Sequence, residues 1–136
     1  MELLQIKMLN TAVERILNQE MSEMGLTYAQ ATVIGYLIEN RDKVVCQRDI
    51  EYSLGLTHPT VSSILSRMES NGLVCTETQS ADRRYKQITL SDKASGLSER
   101  ISQKYRAVKG RLFNGITPEQ QEICNATIQM LLRNVQ

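Results

Sequence analysis

Leu56-Thr57-His58-Pro59-Thr60-Val61-Ser62-Ser63-Ile64-Leu65-Ser66-Arg67-Met68-Glu69-Ser70-Asn71-Gly72 is a run with its own start, period and stop. Thr57 is suited to an N-cap, where a hydroxyl can accept a bond from an amide of the first turn. Pro59 is tolerated there because early amides have no intrahelical partner to lose. Val61, Ile64, Leu65 and Met68 fall on one helical face. Ser63, Ser66 and Ser70 take the other, flanked by Thr60 and Arg67, and Gly72 supplies the stop. The run predicts a short helix, buried on one side, with small hydroxyls and one guanidinium on the other. Such a face lets a backbone approach a DNA major groove, and it also describes an ordinary amphipathic helix.

Its neighbours weigh in favour of the groove. Gln47-Arg48-Asp49-Ile50-Glu51-Tyr52-Ser53-Leu54 predicts a second short helix, with Ile50 and Leu54 inward and Gly55 ending it. Two short helices joined by a tight turn containing Gly form a helix-turn-helix. Downstream, Leu73 to Thr78 and Tyr85 to Leu90 are rich in β-branched residues and predict two strands. Between them Asp82 stands against Arg83 and Arg84, with Lys86 following, so the hairpin has a basic tip. A hairpin placed after a recognition-type helix is a wing, and Arg at its tip can enter a minor groove.

The rest of the chain predicts helices. Leu9, Val13, Ile16, Leu17, Met21 and Met24 recur at three- and four-residue steps before Gly25. Thr27 caps a helix from about residue 28 to 39, with Val33, Ile34, Leu37 and Ile38 for burial. Val44-Val45 predicts a very short strand, available as a third strand against the wing. Ser91 caps a long helix to about Asn114, weakened at Gly96 and Gly110 and broken by Gly115. Thr117-Pro118-Glu119-Gln120 is a capping-box start for the last helix, whose stripe holds Ile123, Thr127, Met130 and Leu131. The fold class expected is mainly α with a small β wing: a winged helix-turn-helix lobe over 27–90, a connecting helix over 91–114, and flanking helices at 1–26 and 115–136. Both flanking helices carry apolar stripes that the lobe has little surface to cover, so they are expected to pair across a two-fold axis as a homodimer. Two recognition helices so related would read a roughly palindromic site with half-sites about 34 Å apart.

Composition excludes more than it selects. The net charge is only +1, so overall basicity does not argue for nucleic acid. With no Trp and one Phe, stacking platforms for single strands are not expected. No secretory signal or membrane-spanning run is read, and the odd, dispersed Cys46, Cys75 and Cys124 indicate reduced thiols, so a cytoplasmic protein is expected. Cys46, His58, Cys75 and Cys124 lack metal-ligand spacing, and neither a metal nor another cofactor is expected. The one histidine lies in the recognition helix and no phosphate-binding Gly-rich loop is present, so no enzyme is read here. Cys46 precedes a helix, where the N-terminal dipole could lower a thiol's pKa, and packing is the commoner role.

The element order, together with Leu56-Thr57-His58-Pro59-Thr60-Val61, Met68-Glu69-Ser70-Asn71-Gly72-Leu73-Val74, Asp82-Arg83-Arg84 and Ile88-Thr89-Leu90-Ser91, resembles the MarR family of bacterial transcriptional regulators. Met68 stands where the family has Leu, and Ser91 where it has Thr. The resemblance implies a dimeric winged helix-turn-helix protein on double-stranded DNA, acting as a repressor. By position it places Thr57, His58, Thr60, Ser62, Ser63 and Arg67 at the major groove or its phosphates. It places Arg83 or Arg84 in the minor groove, near Lys86, with Asp82 holding the wing by pairing with Arg84. It also implies a small effector, often an aromatic or phenolic acid, for which Met8, Tyr36 and Tyr105 are candidate contacts. The competing reading is a winged-helix module that binds protein rather than DNA. Bases at both groove-facing positions, Arg67 on the helix and Arg83, Arg84 and Lys86 on the wing, favour DNA.

Overall fold

The computed structural model describes residues 2–79 and 82–136, without the side chains of Gln79, Asp82, Arg83 and Arg84. In chain order the elements are α1 (Leu3–Ser22), α2 (Tyr28–Glu39), α3 (Gln47–Leu54), α4 (His58–Ser70), β1 (Val74–Gln79), β2 (Asp82–Leu90), α5 (Asp92–Ser95), α6 (Ser98–Leu112) and α7 (Pro118–Val135). This is the expected winged-helix order, mainly α with a two-stranded antiparallel wing. The chain divides into two compact units, residues 1–104 and 105–136.

The first unit is built around the apolar faces legible in the sequence. Val33, Ile34 and Leu37 of α2 meet Ile50 of α3, and Val61, Leu65 and Met68 of α4, in one cluster. Leu73, Val74 and Ile88 extend that cluster under the wing, and Ala94 and Ile101 join it from α5 and α6. The C-terminal part of α1 contributes Met21, while Leu3, Leu4, Met8 and Leu9 near its start stay exposed. Burying an aliphatic side chain of this size stabilises a fold by about 1.5–3 kcal/mol. A chain threaded from α1 to α6 through one such cluster therefore holds its helix-turn-helix rigidly.

Capping chemistry sets the helix starts. Thr27 and Gln30 exchange side-chain bonds with each other's backbone amides at the start of α2, both at 3.1 Å. Thr117 and Gln120 repeat the arrangement at α7. Thr57 departs from expectation. It has N-cap geometry, but its hydroxyl donates to Thr60 Oγ1 at 2.9 Å rather than accepting an amide hydrogen. Thr60 is close enough to take that proton, and Pro59 offers no amide in the first turn.

Two further expectations are corrected. Val44-Val45 forms no strand, and the wing sheet is two-stranded. Val45 accepts one bond, from Ile88 N at 2.8 Å. Cys46 then caps α3 at once, which leaves no length for a ladder. The helix expected from Ser91 to Asn114 is two helices. Ser91 Oγ accepts from Ala94 N at 3.2 Å, but α5 ends after one turn at Gly96, whose amide turns back to Ala94 and Asp92 carbonyls. Leu97 then turns toward the core and α6 begins.

Within the second unit, the remainder of α6 leads through a turn at Gly115, with φ +78°, into α7. α7 has no buried residue; Ile123, Met130, Leu131 and Val135 are exposed. Among the described residues no helix is long and apolar enough to cross a membrane.

Candidate nucleic-acid interface

α3 and α4 are joined at Gly55, where φ is +64°, a conformation open to glycine at no steric cost. Leu56 N bonds back to Glu51 O at 3.1 Å, closing α3 as α4 starts. With Val61, Leu65 and Met68 buried, the opposite side of α4 is left to solvent. Thr57, His58, Thr60, Ser63 and Arg67 are exposed there, and Ser62 is half-buried.

These side chains divide between two flanks. His58, Ser62 and Ser66 border an open cleft of about 620 Å³ between α4 and the wing, together with Cys46, Arg48, Glu69, Thr76, Tyr85 and Lys86. Ser63 and Arg67 border a smaller cleft on the other side, against Asn18 of α1 and Tyr28 of α2. The helix thus offers a polar ridge with a cleft on each side.

The wing is anchored at its root and in its middle. β1 and β2 pair antiparallel from Val74 opposite Leu90 to Thr78 opposite Lys86, with an irregularity after Thr78. Ser91 N bonds Leu73 O at 3.0 Å below the ladder, and Thr76 Oγ1 donates to Glu69 Oε1 of α4, also at 3.0 Å. Lys93 Nζ reaches Asn71 O at 2.9 Å, satisfying a carbonyl just past α4. Lys86 is exposed on the wing. The expected Asp82–Arg84 pairing, and the side chains of Arg83 and Arg84, lie outside the described residues.

A contact network not read from the sequence ties α3 to α4. Glu51 Oε2 is 2.8 Å from His58 Nδ1 and accepts from Gln47 Nε2 at 3.1 Å. The same Gln47 nitrogen is 3.2 Å from Ser62 Oγ and 3.3 Å from the His58 carbonyl oxygen. The hydrogen bond from His58 holds the Glu51 carboxyl below its ordinary value, against the opposing effect of desolvation. Gln47 and Glu51 are four apart on one helix, and His58 and Ser62 four apart on the next. That spacing on both helices was the available signal. At the N-terminus of α3, Asp49 accepts the Cys46 amide at 2.9 Å and its thiol at 3.2 Å. The adjacent Cys46 side chain pushes the Tyr85 phenol up.

The candidate effector contacts are dispersed over the elements. Tyr36 is half-buried and packs against the core of the first unit. Met8 lies on an exposed apolar patch of α1 with Leu4, Thr11 and Ala12. Tyr105 belongs to the second unit and is nearly half exposed.

The model of the MarR family matches residues 24–84, from the end of α1 into the wing. Over those residues the chain is similar to the MarR family. Solved structures agree with the MarR fold along nearly the whole length. A crystal structure of the S. aureus MepR–DNA complex matches with TM-score 0.90 at 24% identity, covering 96% of this chain and 95% of that one. The transcription regulator MarR from Oenococcus oeni PSU-1 matches with TM-score 0.74 at 27% identity, covering 96% of each chain. A MarR protein from Peptoclostridium difficile matches with TM-score 0.89 at 20% identity, over 98% of this chain and 86% of that one.

Proposed function

We propose that this protein is a homodimeric, sequence-specific regulator of transcription that binds double-stranded DNA in the cytoplasm, represses by occupying a pseudo-palindromic operator, and is released by a small aromatic or phenolic effector. The observation that carries the reading is the exposed ridge of α4. Thr57, His58, Thr60, Ser63 and Arg67 stand out from a helix whose other face is locked in the core. Small hydroxyls permit close approach to base edges, and Arg67 can fork onto a guanine or a phosphate. The cleft between α4 and the wing, with Arg48 and Lys86 on its lining, suits a phosphate backbone passing between them. The likeness in fold to a protein solved as a DNA complex supports a DNA-binding reading.

The homodimer rests on exposed apolar surface. Leu3, Leu4, Met8 and Leu9 on α1 and Ile123, Met130, Leu131 and Val135 on α7 are exposed, more than a monomer ordinarily leaves to water in two helices. Pairing of two chains through these helices buries it and sets two recognition helices at one separation. An effector acts by favouring a state with a different separation, which shifts the population off DNA.

The test is selection of duplexes from a random-sequence pool by the purified full chain, followed by gel-shift titration against a scrambled duplex of equal length. Tight, salt-sensitive binding to the selected duplex is expected, weakening on addition of aromatic acids. Equal weak binding to both duplexes would overturn the reading.

A further inference from the structure

We propose that Glu51 is a positioning residue for DNA readout: it fixes the His58 ring in the Nδ1–H form, so that Nε2 accepts a hydrogen bond from the exocyclic amino group of an adenine or cytosine in the major groove. The proposal rests on the DNA-binding reading above and deepens it, because it names which bases the start of α4 can recognise.

The geometry at Nδ1 decides the tautomer. Glu51 Oε2 is 2.8 Å away, and a carboxylate oxygen offers only lone pairs. A bare Nδ1 would set lone pair against lone pair, so the proton lies on Nδ1 and points at Glu51. Gln47 Nε2, 3.0 Å from the same ring nitrogen, is then a neighbour and not its donor. The two amide hydrogens of Gln47 are instead available to Glu51 Oε2 and to the Ser62 Oγ and His58 carbonyl acceptors. Gln47 thereby holds the carboxylate in place from one side and the first turns of α4 from the other.

The ring's second nitrogen is left for a partner. The His58 side chain is 72% exposed, whereas that of Glu51 is 20% exposed. The imidazole is therefore anchored by Nδ1 at its inner edge and presents Nε2 outward. In the neutral ring, a proton on Nδ1 leaves Nε2 with a lone pair and no hydrogen. Phosphates and the carbonyl edges of guanine and thymine offer acceptors only, which such a nitrogen cannot use. Adenine N6 and cytosine N4 offer donors. A fixed tautomer thus turns an exposed histidine from a general polar contact into a reader of amino groups.

Charge gives the proposal an unusual signature. Glu51 is an anion beside a surface that binds a polyanion, so on electrostatics alone its removal strengthens binding to any duplex. Positioning predicts the opposite for the selected duplex. The experiment compares wild type, Glu51→Ala, Glu51→Gln, His58→Ala and the Glu51→Ala/His58→Ala double variant, on the duplex selected by wild type at about pH 8, where an imidazole is ordinarily neutral. The expected result is an adenine or cytosine preference at one position of each half-site. Glu51→Ala and His58→Ala each lose it, with about fivefold weaker binding to the selected duplex. Binding of Glu51→Ala to a scrambled duplex is unchanged or tighter. Glu51→Gln, whose amide oxygen can still accept from Nδ1, retains the preference, and Glu51→Ala costs nothing further once His58 is gone. The chain has one histidine, so ¹⁵N spectra of the free protein read its tautomer directly, without reference to DNA. Nδ1–H should dominate in wild type and give way in Glu51→Ala. Retention of the preference in Glu51→Ala, or an unchanged tautomer, would overturn the proposal. Failure of wild type to select any duplex would overturn the DNA-binding reading itself, and this proposal with it.

Discussion

At the residue scale, two acidic side chains show how different geometries give one carboxylate two kinds of work. Glu51 faces a ring nitrogen of the recognition helix, and its effect is directional. Glu23 faces Lys104, which also pairs with Glu20 at 3.2 Å, and the effect is an ordinary ionic tie between the C-terminal end of α1 and the middle of α6. Lys104 holds the Glu23 carboxyl below its ordinary 4.5, chiefly by hydrogen bonding. Glu23 and Glu20 in turn push the Lys104 ammonium above its ordinary 10.5. The signs of the two shifts define a window. The Glu23 contribution is present above pH 4.5 and is lost as pH falls through its lower folded value. The Lys104 contribution is present below pH 10.5 and is lost as pH rises through its higher folded value. Lys104→Met should therefore lower the melting temperature slightly at about pH 7 and less at about pH 3, as followed by calorimetry, since exposed pairs are weak and act only while both groups are charged. An equal deficit at both would assign the loss to packing of the Lys104 stem.

At the scale of elements, the helices and the wing were legible because burial imposes period. Val61, Leu65 and Met68 had to share a face, and β-branched residues on both sides of a polar turn had to pair. What was not legible depended on partners distant in sequence or on small backbone preferences. The Gln47–Glu51–His58–Ser62 contacts need both helices docked before they exist. The Thr57 hydroxyl donates to Thr60 instead of accepting from an amide, a choice between an acceptor and a donor that the residue types alone leave open. The break after α5 turned on Gly96, read as a weak point inside one helix when it ends a helix. Two glycines make this testable with opposite signs. Gly55 has φ +64°, so Gly55→Ala forces a side chain into left-handed backbone and should destabilise by about 1–2 kcal/mol. Gly96 has φ −66°, and an added Cβ would lie 3.4 Å from Asp92 O, at the near limit of ordinary contact. Gly96→Ala should therefore stabilise by about 0.4–1 kcal/mol through the unfolded state. Urea denaturation of both variants measures the two signs. Destabilisation by Gly96→Ala would mean that the α5–α6 break needs glycine for more than its low helix propensity. The wing has the two expected strands, but β2 begins at Asp82, three residues before the expected Tyr85, and the Asp82–Arg84 contact lies outside the described residues.

At the scale of the whole molecule, the proposed dimer and the proposed DNA complex make separate predictions. Lys86 is exposed on the wing, and as a phosphate contact its loss should weaken binding to all duplexes alike. Lys86→Ala should reduce the slope of log affinity against log salt by about one per chain, read from titrations at several salt concentrations. A changed base preference with an unchanged slope would place Lys86 on a base edge instead. For association, Leu131 is 44% exposed on a helix with no buried residue. Leu131→Glu puts a charge where the proposed partner helix would lie, and sedimentation should show it shifted to monomer at concentrations where wild type is dimeric. Wild-type and variant proteins of equal mass would remove α7 from the interface.

One feature of α1 bears on how such a protein behaves at low copy number. Its C-terminal turns are pinned by Leu17 and Met21, while Leu3, Leu4, Met8 and Leu9 near its start are exposed. A few helical turns without tertiary support are marginal in water. With the association proposed above, the start of α1 is ordered by a second chain, so dilution both separates the chains and frays that end. Mass action then makes ordering and operator occupancy depend on the same concentration. Protease sensitivity at the start of α1 should rise on dilution in step with loss of the dimer. A protein built this way would meter its own abundance: below a threshold number of copies it is cleared faster as well as bound less.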